Sequence, residues 1–328
     1  MGRYILKRVL YMVPTLVAVS VITFWVIQLP PGNYLTALVA TMAEQGESVD
    51  NATLIALTER YGLGEAMHVQ YWKWISRIVL DGDFGHSFEL NRPVSALIWE
   101  RVALTLALTV SSLLFIWAVA FPIGVVAAIR KYSLMDYVLT LVSFVGLAIP
   151  NFLIALVLMY LSIRYFGQSV GGLFSPDMTD APWSVAKLVD LLQHLWIPMI
   201  VLGTAGAGAL IRLFRANLLD ELGKPYVLTA RAKGLSEMRL LFKYPVRVAL
   251  NFFVSSQNHL FVQLVSGGTI VAIVLSLPTT GPLLMRALVA QDLYLAGSFL
   301  LMMSVLALVC TLLSDIALAL LDPRVRYS

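Results

Sequence analysis

The chain of 328 residues is 59% hydrophobic and only 13% charged, with a formal net charge of +4 and a mean hydropathy of +0.83. Soluble globular domains carry roughly 45–50% apolar and about 25% charged residues, so a water-soluble fold of this size has no interior large enough for so much apolar surface. An intrachain disulfide framework is also excluded, because Cys310 is alone and sits inside an apolar run as a small hydrophobe.

Only helices and closed barrels satisfy every backbone polar group inside a bilayer. The apolar runs here are long and lack the alternation of barrel strands, which predicts an all-α polytopic membrane protein. A span needs about 20 apolar residues, and six stretches qualify. The first, Val9–Leu29, follows Arg3, Lys7 and Arg8; it exceeds a signal-peptide core and has no small-x-small cleavage site, so it reads as a retained anchor. A loop over 30–101 then leans acidic, with Glu44, Glu47, Asp50, Glu59, Glu65, Asp81, Asp83 and Glu89. Short helices are expected in it, and Trp72, Trp74 and Trp99 fit an interfacial aromatic belt.

The second span, Val102–Ile129, ends at Arg130 and Lys131. The third, Tyr137–Tyr165, contains Pro150; the fourth, His194–Ile211, contains Pro198 and is the shortest. The fifth and sixth are Phe252–Leu277 and Ser298–Leu321, the latter followed by Arg324 and Arg326. Most of the basic residues fall on one side of this arrangement, which by the positive-inside rule makes that side, and both termini, cytoplasmic. The charge pattern therefore follows topology and does not mark a nucleic-acid binder. Asp315 is expected in a structural ion pair, and Asp292 and Arg286 are expected at the periplasmic mouth. His194 and His259 have no second ligand at metal spacing.

The segment 212–250 is the only long cytoplasmic one, carrying Arg212, Arg215, Lys224, Arg231, Lys233, Arg239, Lys243 and Arg247. Tyr226 to Leu235 has helical composition, Gly234 supplies a residue that takes positive φ and ends a helix, and Ser236 is a candidate N-cap for a second piece reaching Tyr244. Pro245 turns the chain back. The result is a helix–Gly–helix elbow expected to expose Ala230 and Ala232 between basic residues. Two readings follow from the residues alone: a docking element for another protein, or a basic loop lying on the anionic leaflet.

The string Tyr226-Val-Leu-Thr-Ala-Arg-Ala-Lys-Gly-Leu235 resembles the EAA-type signature of binding-protein-dependent ABC importer permeases, in the form typical of the dipeptide and oligopeptide group. Tyr4-Ile-Leu-Lys-Arg8 with Pro14 and Thr15, Tyr61-Gly-Leu63, Gln70-Tyr71, Gly82-Asp-Phe-Gly85, Arg92-Pro-Val94 and Leu321-Asp-Pro-Arg-Val-Arg-Tyr327 follow that group's pattern in order along nearly the whole chain. The resemblance implies a type I ABC importer transmembrane fold: one permease domain over 1–328, comprising an N-terminus and first span (1–29), a periplasmic loop (30–101) and a permease core (102–328). It further implies a bacterial inner-membrane location, a second homologous permease as heterodimer partner, two ATP-binding cassette subunits and an extracytoplasmic solute-binding protein docking on the periplasmic loop. Tyr226, Thr229, Ala230, Arg231, Ala232, Lys233, Gly234 and Leu235 would couple to the ATPases. No G-x-x-x-x-G-K-[ST] phosphate loop occurs in the chain, so ATP and Mg are expected at the partner ATPase subunits, with no cofactor or metal bound here and no enzymatic activity of its own.

Three departures bear on cargo. Asn33 stands where the group usually has Asp, Ala272 after Gly267-Gly268 stands for Glu, and Thr279, Thr280 and Pro282 lie in a run that replaces a Gly- and Arg-containing one. Gly267, Gly268, Ala272, Thr279 and Thr280 are the candidate pathway residues. An acid inside the membrane is costly and functional; its loss leaves an oligosaccharide or glycoside beside a peptide as expected cargo. An ion-coupled secondary transporter is the alternative class, but the paired intramembrane acids or broken repeats it would show are scarce. A membrane-embedded enzyme would need clustered catalytic side chains, which do not appear.

Overall fold

The computed structural model describes residues 2–29, 65–87, 89–167 and 171–321. Asn33, Tyr61-Gly62-Leu63, residues 322–327 of the carboxy-terminal signature, and Glu44, Glu47, Asp50, Glu59, Arg324 and Arg326 lie outside them. The described residues are helical, with one isolated bridge between His86 and Pro93. Five helical segments are long and apolar enough to cross a bilayer, or six if one bent pair is a single span. The chain divides into two compact units, one of Leu6–Ala103 and Thr279–Leu308, the other of Met1–Ile5, Leu104–Pro278 and Val309–Ser328.

In the first of these units, helix α1 (Gly2–Ile27) turns Ser20, Thr23 and Phe24 inward. They meet α2 (Met67–Ser76), where Ser20 Oγ and Tyr71 OH are 2.9 Å apart and the Phe24 and Tyr71 rings pack edge to face. Trp74, expected in an aromatic belt, is only 2% exposed and packs on Phe24. It shares the inward face of α2 with Tyr71, three residues earlier, whereas Trp72 and Trp99 are exposed as expected. A π-helical turn (Arg77–Asp81) ends α2. The same unit holds α12 (Thr280–Val289) and the start of α13 (Leu293–Leu321). Asp292, expected at a mouth, is fully buried: its carboxylate accepts from Ser87 Oγ at 2.6 Å and from the Glu89 and Leu295 backbone N–H groups. Arg286 donates to Glu89 at 2.7 Å.

The other unit is organised around one long helix. α3 (Val94–Ile129), α4 (Leu134–Ala148) and α5 (Asn151–Phe166) precede it, and α4 and α5 are bent by 98°. The expected third span, Tyr137–Tyr165, is thus two helices. Pro150 lacks an N–H and forces the residue before it out of the helical region, and Ile149 is indeed extended at φ −79°, ψ 124°. α6 (Val185–Leu222) spans 38 residues, where the sequence pattern shows only the apolar stretch His194–Ile211. Near its start the helix continues past charged residues whose polar groups are satisfied. Lys187 donates to the carbonyls of Thr179 and Ala181, and Asp190 accepts from Ser175 N–H and Oγ. His194 packs in the same way, its Nδ1 lying 2.8 Å from the Asp190 carbonyl. After α7 (Pro225–Ala232) and α8 (Glu237–Lys243), the expected fifth span, Phe252–Leu277, is a run with breaks, made of the end of α9 (Pro245–Ser255), α10 (Gln257–Gly267) and α11 (Thr269–Val274).

α6 packs closely because its middle is built of small residues. A Cβ placed on Gly208 would stand 2.5 Å from the Ser143 carbonyl oxygen of α4, and one on Gly203 would stand 2.4 Å from the Phe115 ring of α3. Small residues permit such approach between membrane helices. A backbone oxygen cannot move aside, whereas a ring can rotate. Gly208→Ala is therefore expected to destabilise by about 1–3 kcal/mol and Gly203→Ala by less, as read from thermal unfolding midpoints of the two purified variants in detergent. A smaller loss at 208 than at 203 would show that α4 and α6 do not approach this closely.

Candidate functional site

α6 leads directly into the elbow. Pro225 opens α7 at a position where its missing N–H costs nothing. α7 ends in a full Schellman arrangement: Gly234 N–H donates to Arg231 O at 3.0 Å and Leu235 N–H to Ala230 O at 3.4 Å. Gly234 has φ +79°, with open space around its α-carbon, so its requirement is conformational rather than steric. Ser236 occupies the N-cap of α8, but its side chain makes no cap hydrogen bond. The closure is made instead by Arg231 and Glu237, whose side chains form a two-point ion pair across Gly234 at 2.5 and 2.9 Å.

The elbow has its own small core. Val227, Ala230 and Leu240 are buried, and Leu235 and Tyr244 pack against them. Ala230, expected at the surface, faces inward because it lies three residues from Val227 on the face turned to α8. Ala232, Lys233 and Arg231 are exposed as expected. Thr229 is exposed and returns its hydroxyl to the Pro225 carbonyl at 3.0 Å. Tyr226 donates to Glu221 at 2.5 Å, and burial, reinforced by that carboxylate, pushes its phenol well above the ordinary tyrosine range. The sequence reading missed the exposed apolar residues Leu228, Met238 and Phe242. Met238 and Phe242, two residues either side of Leu240 and so on the far face of α8, carry that signal in their spacing. Ile129, Leu222, Arg231, Glu237, Met238, Leu240 and Leu241 line a cavity of about 260 Å³ beside the elbow.

The arm carrying the elbow is tied at Arg215. Its guanidinium donates twice to Asp136 at 2.7 and 2.6 Å, and Asp136 is 3% exposed. The Asp136 carboxylate also accepts from Tyr132 N–H, and its own N–H is held by Ser133 Oγ, the N-cap of α4.

Four of the five candidate pathway residues are buried. Gly268, Ala272, Thr279 and Thr280 are buried, and Gly267 ends α10. Among the described residues no group of His, Cys, Asp or Glu is placed to hold a metal ion.

Residues 120–327 match the family model described as binding-protein-dependent transport system inner membrane component, and residues 1–109 match its N-terminal companion. The chain is similar throughout to the oligopeptide transport system permease protein AppB of Bacillus subtilis (strain 168), 33% identical over 329 residues and covering 100% of both chains. It is 32% identical over 329 residues to the glutathione transport system permease protein GsiC of Salmonella typhimurium (strain LT2), again covering 100% of both. In fold it is similar to a chain of the inward-facing MetNI methionine ABC transporter, with a TM-score of 0.54 at 15% identity, covering 69% of this chain and 98% of that one.

Two substitutions probe this geometry. Gly234→Asn should keep the elbow, since Asn tolerates left-handed backbone, whereas Gly234→Val should cost about 1–2 kcal/mol of local stability; amide hydrogen exchange across 226–244 reads the difference. Asp136→Asn leaves Arg215 without its counter-charge and should destabilise by about 2–4 kcal/mol, measured as a lowered unfolding midpoint. A neutral effect would mean the pair does not hold the arm.

Proposed function

Since the chain belongs to the family of binding-protein-dependent transport-system inner membrane components, in the peptide group of ABC importer permeases, we propose that it forms one half of a heterodimeric import pathway driven through its elbow. A second homologous permease completes the pathway, two ATP-binding cassette subunits drive it from the cytoplasm, and an extracytoplasmic binding protein delivers cargo. Both termini and the elbow lie on the cytoplasmic side of a bacterial inner membrane, in line with the clustering of Arg and Lys there. ATP and Mg are bound by the partner ATPases, and this chain transmits force without catalysing a bond change.

One observation carries this reading: the 226–244 elbow is a self-bonded unit fused to the end of the longest helix, presenting Leu228, Met238 and Phe242 beside Lys233 and Arg239. Exposed apolar side chains on a segment that also carries exposed basic ones suit a protein cleft better than a purely electrostatic contact with a leaflet. Tyr226, Thr229, Arg231, Ala232, Lys233, Gly234 and Leu235 thus act as the coupling element, with Ala230 holding its core.

The cargo is a peptide, in keeping with the oligopeptide and glutathione permeases that the chain resembles. Gly268, Ala272, Thr279 and Thr280, small and buried, act together with Gly267 from behind the pathway surface by letting helices bend and pack. Two of the acids an ion-coupled carrier would draw on are already engaged, Asp136 by Arg215 and Asp190 by Ser175 and His194.

ATP-dependent uptake of a labelled peptide by the reconstituted complex, with its binding protein and ATPases, tests the proposal. Uptake should require ATP, resist excess oligosaccharide, and collapse in Gly234→Pro despite normal insertion and assembly. Uptake that follows an ion gradient and ignores the substitution would overturn it.

A further inference from the structure

A hydrogen-bonding side chain that points outward from a membrane helix must meet protein or water, because lipid tails offer it no partner. Through most of this chain the outward faces are apolar: Val110 and Leu114 of α3, Leu141, Val142 and Val145 of α4, and Val309 and Leu313 of α13 are all exposed. α10 departs from that pattern. His259, Gln263 and Ser266 are exposed, at intervals of four and three residues that place them on one helical face. Ser255, four residues before His259 at the end of α9, is exposed as well.

The division across α10 is sharp. Leu260, Phe261 and Leu264 are buried on its other side. The buried amide of Gln257 is fully engaged, accepting from Trp117 Nε1 at 2.6 Å and donating to the Phe253 carbonyl. Ser266 returns its hydroxyl to Val262 O, whereas among the described residues His259 and Gln263 show no side-chain hydrogen bond within the chain. Val262 and Ile270 interleave with the polar groups as exposed apolar surface. The face contains no Asp, Glu, Lys or Arg.

We infer that the His259–Gln263–Ser266 face of α10 lines the aqueous translocation pathway and holds passing cargo by uncharged hydrogen bonds. This inference rests on the permease reading above and adds to it the surface that touches cargo and the chemistry of recognition. Neutral donors and acceptors set among aliphatic side chains suit the backbone amides common to all peptides. They do not select for side-chain charge.

The test uses the full complex in proteoliposomes, in a Cys310→Ser background, carrying one of His259→Cys, Gln263→Cys, Ser266→Cys or the lipid-facing control Leu141→Cys. A membrane-impermeant methanethiosulfonate should modify the three α10 positions several-fold faster than the control. Peptide-loaded binding protein with ATP should slow that modification. Separately, Gln263→Leu should lower the peptide uptake rate by about three- to tenfold, the worth of one neutral hydrogen bond. Modification no faster than at Leu141→Cys would overturn the inference, assigning the face to the partner subunit or to lipid. Fast modification indifferent to peptide and ATP would overturn it too, since a wet face that holds no cargo is not a pathway. ATP-driven uptake by the parent Cys310→Ser complex reports on the permease reading alone, so the two can fail independently.

Discussion

A charge carried by a membrane helix must find its counterpart before that helix can extend, and the second unit is organised by how α6 meets that demand. At one end Lys187 and Asp190 tie down the chain that precedes the helix. Near the other, Arg215 is held two-fold by Asp136. With those charges paired, the helix runs unbroken for 38 residues, about 57 Å at 1.5 Å per residue. The hydrocarbon core is only about 30 Å thick, so the arm reaches well beyond it. Without the pairing, the charged ends would favour solvent and the apolar middle alone would remain helical.

That reach connects the small residues at the centre of α6 to the elbow at its end. Gly203 and Gly208 bring α3 and α4 into close contact with the arm, so displacement of the elbow is resisted by packing along a single rod. Asp136 sits at the first turn of α4, where Ser133 caps the helix. Through Arg215, therefore, the arm is tied both to a side chain and to the start of the bent α4–α5 pair. A push on the elbow is delivered to the helices around the arm through stiff, short-range contacts rather than through flexible loops.

Much of this was legible from residues alone. Apolar run lengths identified the spans, Gly234 announced a left-handed turn that the backbone adopts, and Pro245 marked the return of the chain. What was not legible depends on partners distant in sequence. The ends of α6 look polar until Asp136 and Ser175 are brought beside Arg215 and Asp190. Trp74 looks interfacial until Phe24 covers it, and Ala230 looks exposed until Leu240 folds over it. The bend at Pro150 was visible as a proline, but proline alone does not distinguish a slight kink from a 98° bend. The polar face of α10 was obscured by the average hydrophobicity of its surroundings, and it emerges only when exposure is read residue by residue.

The elbow's ion pair, turn bonds and small core all join residues between Glu221 and Tyr244. Contacts so close in sequence form on the microsecond scale, because little chain has to be brought together. Were the elbow displaced, these local contacts would re-form quickly. Leu241, by contrast, is built into the main core beside Val246 and Ala249, so the same segment that closes on itself is also anchored to the helices behind it.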